Sequence, residues 1–232
     1  MLRLNEIHTY YGASHVLQGV TLHVPAESVV ALLGRNGMGK TTTIHSIIGF
    51  NRPHSGEIIF NGKDITCIDA YRRARMGIAL VPQGRRIFPS LTVQENLTLG
   101  RRKDDGKLNY NLETIYHIFP ILRERAKQHG LHLSGGEQQM VAIGRALLTN
   151  PDLILMDEPF EGLAPPIVEQ MAAKLAEIKK LGLAMLLVEH NVPEALKLAD
   201  YIYVINKGKI IYHGSKDEFA EEREVKKRFL LI

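Results

Sequence analysis

The sequence is short of several features that whole classes of protein require. Cys67 is the only cysteine, which excludes an internal disulfide and a cysteine-based metal cluster. There is no tryptophan, and aromatic residues make up only 6% of the chain, so surfaces for stacking nucleic-acid bases are scarce. No apolar run approaches the ~20 residues of a bilayer-spanning helix, and residues 1–6 lack the apolar core of a signal peptide. We therefore expect a cytoplasmic protein that does not bind nucleic acid and meets a membrane only through a partner.

The remaining composition is that of a globular protein. The 232 residues are 45% hydrophobic and 23% charged, which suffices for a sizeable core in one large domain or two small ones. The net charge of +4 is spread over short basic clusters, such as 72–75 and 226–228, without a long run of Lys or Arg. Such clusters are usually solvated faces, although a basic face beside anionic lipid is a second interpretation.

A phosphate-loop motif is the strongest signal in the chain. The pattern Gly-x-x-x-x-Gly-Lys-Ser/Thr is matched at every fixed position, between a β-branched apolar run at 28–33 and a predicted helix at 42–48. In that context a glycine loop lets backbone N–H groups surround a phosphate at a helix N-terminus. A glycine-rich turn with a chance Lys-Thr does not account for both the fixed positions and the flanks. The predicted nucleotide-binding residues are Gly34, Arg35, Asn36, Gly37, Met38, Gly39, Lys40, Thr41 and Thr42.

These residue types also suggest individual roles. Lys40 would reach the β- and γ-phosphates of a nucleoside triphosphate, and the Thr41 hydroxyl would ligate Mg²⁺. Gln83 follows the predicted strand 78–81, at the strand end where open α/β sheets bind ligands, and would coordinate Mg²⁺ or a water.

Two further apolar strands also end in polar side chains. Asp157, at the end of the strand 153–157, would hold Mg²⁺ through water, and Glu158 would orient or deprotonate an attacking water. An acidic pair after a strand is commonly only the start of a solvated loop, but the phosphate loop in the same chain favours catalysis. His190 follows the strand 184–188; a lone histidine is usually structural, but its place at the same sheet edge favours contact with the γ-phosphate.

A glycine pair opens another predicted helix. Ser134 and Glu137 have the spacing of a capping box, which by itself explains a helix start. Gly135 and Gly136 are not explained by capping, because each glycine lowers helix propensity by about 1 kcal/mol. They would be explained by close approach of the backbone to another group, such as a phosphate.

Tyr11 is placed by the pattern in a loop at 9–14, between predicted antiparallel strands at 2–8 and 16–24. An aromatic side chain on such a loop can stack on a purine ring. Taken alone, a surface tyrosine that packs on its own hairpin is the commoner case.

The order of these motifs resembles that of the ATP-binding-cassette ATPases over the whole chain. The motifs are Tyr11, the loop 34–41, Gln83, Leu-Ser-Gly-Gly-Glu at 133–137, Asp157-Glu158 and His190. The resemblance implies an α/β fold of the phosphate-loop (RecA-like) type: a mostly parallel sheet with an antiparallel β flap and an inserted helical subdomain. The single domain would have a core at 1–83 and 150–232 and a helical signature subdomain at 84–149. It also implies a head-to-tail dimer in which Ser134, Gly135, Gly136 and Glu137 contact ATP held by the partner, with Mg²⁺ as cofactor.

Three stretches resemble more narrowly the importer ATPases for branched-chain amino acids, in particular the smaller ATPase subunit: 81–97, 138–147 and 161–165. Such subunits work with a second ATPase, which is a copy or a related chain, two membrane permeases and an external binding protein. This resemblance implies a peripheral position on the inner face of the membrane. Ala164 departs from the aspartate common in cassette ATPases, which removes a cross-subunit hydrogen bond, whereas His190 follows the general pattern.

Other classes fit less well. A GTPase needs Asn-Lys-x-Asp, and the nearest stretch, 206–209, ends in lysine. Cassette proteins of DNA repair or translation usually carry a coiled-coil insertion or two cassettes. A module that senses ATP without hydrolysis would not need Glu158 and His190. Among transporters, an amide or urea importer and an exporter remain alternatives, because the cargo is recognised by other subunits.

Overall fold

The computed structural model describes residues 1–101 and 110–230. They form two sheets surrounded by helices. The strands are β1 (Leu2–Tyr11), β2 (Ser14–Val24), β3 (Val29–Leu33), β4 (Ser55–Phe60), β5 (Lys63–Asp64), β6 (Ile78–Val81), β7 (Leu153–Asp157), β8 (Ala184–Glu189), β9 (Tyr201–Asn206) and β10 (Lys209–Ser215). The helices are α1 (Lys40–Ile48), α2 (Ala70–Arg75), α3 (Val93–Thr98), α4 (Leu112–Ile118), α5 (Pro120–Glu124), α6 (Gly135–Leu147), α7 (Pro165–Lys180), α8 (Val192–Leu198), α9 (Lys216–Glu221) and α10 (Arg223–Val225), with a 3₁₀ turn at Gly130–His132 and a π-helical turn at Lys226–Leu230.

The larger sheet has the order β10-β9-β3-β8-β7-β6, in which all neighbours are parallel except β10 and β9. Every residue of β3, β7 and β8 is buried, as their continuous apolar sequences require when helices cover both faces of a parallel sheet. The register aligns the carboxyl ends: Leu33 lies opposite Glu189, and Asp157 opposite Val188. The predicted site segments therefore leave the sheet at one edge, and the predicted fold class is confirmed.

The smaller sheet is antiparallel, with the order β2-β1-β4-β5. Asn61 and Gly62 both have positive φ in the turn between β4 and β5, as a tight hairpin requires. The first hairpin is longer than the sequence predicts, because β1 continues through Tyr11 and only residues 12–13 separate it from β2. Tyr11 therefore lies at a strand end rather than on a six-residue loop.

Helices α3 to α6 lie between β6 and β7 in the chain. Capping boxes at Thr92 and Ser134 begin α3 and α6, the second of them at the predicted position. The apolar faces of these helices join a core cluster that also contains sheet residues such as Val81 and Met156. In the described part of the chain, none of the helices is long and apolar enough to cross a membrane.

Arg73 fixes the far end of α1. Its guanidinium is fully buried and donates to the carbonyls of Ser46 and Ile47 at 2.7 Å each, to that of Ile68 at 2.7 Å and to that of Thr66 at 2.9 Å. Burial lowers the pKa of Arg73 to about 10, so the group stays charged at neutral pH. A cation at this position stabilises the C-terminus of α1.

Beside Arg73, an apolar groove of about 660 Å³ opens between α2, α6 and the end of α1. Phe50 and Tyr71, which are 63% and 55% exposed, stand in its wall, next to the buried Ile48. An exposed apolar concavity of this kind is typical of an interaction surface.

Candidate nucleotide site

The phosphate loop connects β3 to α1. Gly37 and Gly39 have φ of 79° and 108°, a region that side chains avoid, and a Cβ on Gly39 would lie 2.9 Å from Leu17 Cδ2. Gly34 is packed against β9, where a Cβ would lie 2.6 Å from the Ile205 carbonyl oxygen. Residues 35–37 are exposed, so the loop presents its backbone to solvent directly before the N-terminus of α1.

Lys40 and Glu158 form a buried ion pair. Lys40 Nζ lies 3.1 Å from Glu158 Oε1, and the two side chains are only 4% and 6% exposed. Lys40 also donates to the Arg35 carbonyl at 3.2 Å. Glu158 has a φ of 50°, and its other carboxylate oxygen lies 3.2 Å from His190 Nδ1. The structure thus brings together three side chains that the sequence places on three separate loops.

Asp157 and Thr41 form the second polar pair. The Thr41 hydroxyl donates to Asp157 Oδ1 at 3.3 Å, and Asp157 is 3% exposed. Burial raises the pKa of Asp157 to about 6; the Thr41 hydrogen bond opposes this rise and the charge of Glu158 adds to it. The raised pKa shows that the buried Asp157 carboxylate lacks a sufficient counter-charge, which a hard cation that favours oxygen ligands, such as Mg²⁺, would supply.

Gln83 is exposed and donates through Nε2 to Glu161 Oε2 at 2.9 Å. With Lys40, Thr41 and Glu158 it lines a cavity of about 300 Å³ over the phosphate loop. The sequence anticipated the position of Gln83 but not its bond to Glu161, since residues 78 apart show no pairing pattern.

Tyr11 is 48% exposed, and its hydroxyl lies 3.3 Å from His45 Nδ1 on α1. Burial, followed by the charge of Arg86, lowers the pKa of His45. The half-exposed ring of Tyr11 is therefore held near α1 and remains available for stacking. His45 was missed by the sequence analysis, although it lies one helical turn after Thr41.

Within their own chain, residues 134–137 form the predicted capping box and pack against neighbouring side chains. Ser134 N–H donates to Glu137 Oε2 at 2.7 Å, and Glu137 pairs with Arg125 at 3.5 Å. A Cβ on Gly136 would lie 2.7 Å from Ile167 Cγ2, and one on Gly135 would lie 3.0 Å from the Arg85 guanidinium. None of the contacts described for 134–137 reaches the phosphate loop of the same chain.

Gly136 therefore has a packing reason within its own chain, which the argument from capping alone overlooked. Its neighbour Ile167 is an intrachain group that a larger side chain would displace. Gly135 differs, because the atoms near it belong to the end of a flexible arginine, so some additional volume is tolerated there.

Two buried groups extend the site beyond the sequence analysis. Glu189 is fully buried, and burial raises its pKa to about 7. Phe160, the bulky residue after Glu-Pro, is 5% exposed and packs in the core. A glutamate at the end of an apolar strand suggests a charged group at the sheet edge, but the sequence does not show that it is buried.

The fold and the site together define a phosphate-loop nucleotide hydrolase. A family model described as ABC transporter matches residues 17–161. The chain therefore belongs to the ABC transporter family and is an ATP-hydrolysing subunit. This membership excludes the GTPase and non-hydrolysing alternatives.

The relatives agree with this assignment. The chain is 39% identical over 233 residues to the high-affinity branched-chain amino acid transport ATP-binding protein BraG of Pseudomonas aeruginosa, with 99% of each chain covered. It is 37% identical to the lipopolysaccharide export system ATP-binding protein LptB of Haemophilus influenzae, over 99% of this chain and 97% of that protein.

Solved structures show the same fold. A nucleotide-free ATP-binding cassette from an ABC transporter matches with a TM-score of 0.84 and 30% identity, covering 100% of this chain and 98% of that one. A dimeric ATP-binding cassette in a post-hydrolysis state, bound to ADP and Pi, matches with a TM-score of 0.81 and 25% identity, covering 93% and 99%.

Proposed function

We propose that this chain hydrolyses ATP to drive an importer for branched-chain amino acids. The cluster of Lys40, Glu158 and His190 supports the hydrolytic part of the proposal. The likeness to BraG and the stretches 81–97, 138–147 and 161–165 support the cargo. An export system is the second candidate, because LptB is nearly as similar over the same length.

In the proposed reaction, Lys40 and the backbone N–H groups of 35–40 bind the phosphates. Phosphate oxygens compete with Glu158 for Lys40 Nζ, so nucleotide binding releases the carboxylate from its ion pair. Glu158 then orients a water for in-line attack and accepts its proton, while His190 contacts the γ-phosphate. Tyr11 stacks on the adenine ring.

Thr41, Asp157 and Gln83 are the residues that would hold Mg²⁺, Asp157 through water. The ion supplies charge neutralisation at the phosphates when it is bound. The Thr41–Asp157 hydrogen bond and the raised pKa of Asp157 support this assignment, since they place two oxygen groups together and show that the carboxylate would gain from a nearby cation.

We further propose a head-to-tail dimer in which Ser134, Gly135, Gly136 and Glu137 contact ATP held by the partner. The dimeric relative with ADP and Pi supports pairing. The helices at 84–149 form the signature subdomain, and 1–83 with 150–232 form the core. Without the aspartate common in cassette ATPases, Ala164 makes no cross-subunit hydrogen bond through its side chain.

The partner in the membrane is proposed to be a pair of permease subunits, which place this chain at the inner face of the membrane. The apolar groove with exposed Phe50 and Tyr71 has the size and chemistry for a short amphipathic segment of a permease. An external binding protein would deliver cargo to the permeases.

Co-purification followed by reconstitution tests the proposal. Tagged chain is expected to retain two membrane proteins, and vesicles carrying the complex should hydrolyse ATP faster with a loaded binding protein for leucine, isoleucine or valine. Stimulation by lipopolysaccharide instead would establish the export alternative.

A further inference from the structure

Glu189 is a buried carboxylate to which the proposed reaction gives no task. It is the last residue of β8, opposite Leu33, and it is 0% exposed. Its position is therefore directly beside the start of the phosphate loop. Charged side chains are rarely so fully buried without a specific set of partners.

Three backbone N–H groups lie within hydrogen-bonding distance of the Glu189 carboxylate. They belong to Phe160 at 3.2 Å, His190 at 3.2 Å and Asn191 at 3.4 Å. Phe160 lies in the loop that carries Glu158, and the other two lie in the loop of His190. An ionised carboxylate is an acceptor only, which suits three donors from two different loops.

The backbone of Glu158 needs such support. Its φ of 50° is in the left-handed region, where a non-glycine residue stays only if its surroundings hold it there. One restraint is the bond from Glu158 N–H to the Val188 carbonyl at 2.9 Å, and the next, two residues on, is the bond from Phe160 N–H to Glu189. Both acceptors are at the end of β8.

We propose that Glu189 is a positioning residue for ATP hydrolysis, whose ionised carboxylate fixes the two loops that set Glu158 and His190 3.2 Å apart. It acts through these residues and does not touch the nucleotide. The inference rests on the proposed role of Glu158.

The electrostatic surroundings define a pH dependence. Burial raises the pKa of Glu189 to about 7, and the charge of Glu158 raises it further. The hydrogen bonds from Phe160 and Asn191 lower this pKa, as does the charge of His190, whose Nδ1 is 3.9 Å away. Glu189 lines a cavity of about 250 Å³, and Glu161 and Glu194 line it as well. The positioning role needs the ionised carboxylate of Glu189, so the rate of ATP hydrolysis should increase as the pH rises through about 7.

Stability follows the opposite sign. The folded-state pKa of Glu189 lies above the ordinary value of 4.5, so the folded state binds more protons in this interval and loses stability as pH rises from 4.5 to about 7. Glu189→Gln removes this loss, while it also removes the charge that holds the loops. If Glu189 is a positioning residue, Glu189→Gln should therefore lower activity without lowering stability.

Four purified variants test the proposal, by steady-state ATP hydrolysis from pH 6 to 8.5 and by melting temperature. Glu189→Gln should lower kcat about 10- to 100-fold, as loss of catalytic alignment does, with KM for ATP changed by less than about threefold. Its rate should lack the rise through pH 7, and its melting temperature at pH 8 should not fall. Glu189→Asp, which keeps the charge, should have an intermediate kcat and keep the rise.

Glu194→Gln is the matched control, because this carboxylate lines the same cavity but pairs with Lys197 at 2.8 Å. It should behave as the parent. A folded Glu189→Gln enzyme with parental kcat at every pH overturns the proposal, and so does a joint fall of kcat, ATP affinity and melting temperature. If Glu189→Gln does not fold, parental kcat in Glu189→Asp overturns it and the intermediate kcat upholds it. Parental activity in Glu158→Gln would instead refute the role given to Glu158.

Discussion

Replacing Glu158 by glutamine should separate ATP binding from hydrolysis. The change keeps the shape of the side chain but removes the charge that pairs with Lys40 at 3.1 Å and the group assigned to orient water. Loss of that group should lower kcat by about 10²- to 10⁴-fold. ATP affinity should hold or rise, because Lys40 no longer has a carboxylate that competes with phosphate.

The same change should alter stability in a ligand-dependent way. Lys40 and Glu158 are 4% and 6% exposed, so removing one partner leaves a buried charge, at a cost of about 3–5 kcal/mol. The bond from Lys40 to the Arg35 carbonyl offsets part of that cost. ATP supplies a new counter-charge, so nucleotide should raise the melting temperature of the variant more than that of the parent.

Phosphate release and thermal unfolding with and without Mg·ATP measure the two effects. Glu169→Gln, an exposed carboxylate on α7, is the control and should match the parent in both. Hydrolysis within a few-fold of the parent, or an equal thermal shift in parent and Glu158→Gln, would refute the reasoning.

Three other changes test the rest of the site. Tyr11→Phe should keep ATP affinity, whereas Tyr11→Ala should lose about 1–2 kcal/mol of it in calorimetric titration; equal affinity in all three proteins would assign Tyr11 to surface packing. Gly135→Asp suits a helix N-terminus but places a negative charge against the partner's phosphate, so it should abolish hydrolysis and spare ATP binding. A mixture of this variant with Lys40→Ala should regain partial activity, and no recovery on mixing would contradict the composite site. Because Asp157 binds a proton below about pH 6, the Mg²⁺ concentration for half-maximal hydrolysis should rise from pH 7 to pH 5, and an unchanged requirement would argue against Asp157 as a ligand.

Much of the architecture was predictable because it depends on local patterns. The continuous apolar runs of β3, β7 and β8 are typical of parallel strands that are covered on both faces. The capping boxes at Thr92 and Ser134 fix two helix starts within a few residues. Alignment of strand ends then brings the site segments to one edge.

Contacts between distant residues were not predictable. The pairing of Lys40 with Glu158 and the bond from Gln83 to Glu161 depend on side-chain directions that no spacing encodes. Gly136 shows how a local argument can fail, because its neighbour Ile167 is 31 positions away on another helix. The burial of Glu189 is likewise a property of the assembled sheet.

The clamp at Arg73 has a mechanical consequence. Helix α1 has nine residues and is about 13 Å long, with Lys40 at one end and the carbonyls of Ser46 and Ile47 held by Arg73 at the other. Arg73 belongs to α2, which forms a wall of the groove. A displacement of that wall is therefore transmitted to the phosphate loop through the two hydrogen bonds from Arg73 to α1 and through the helix itself.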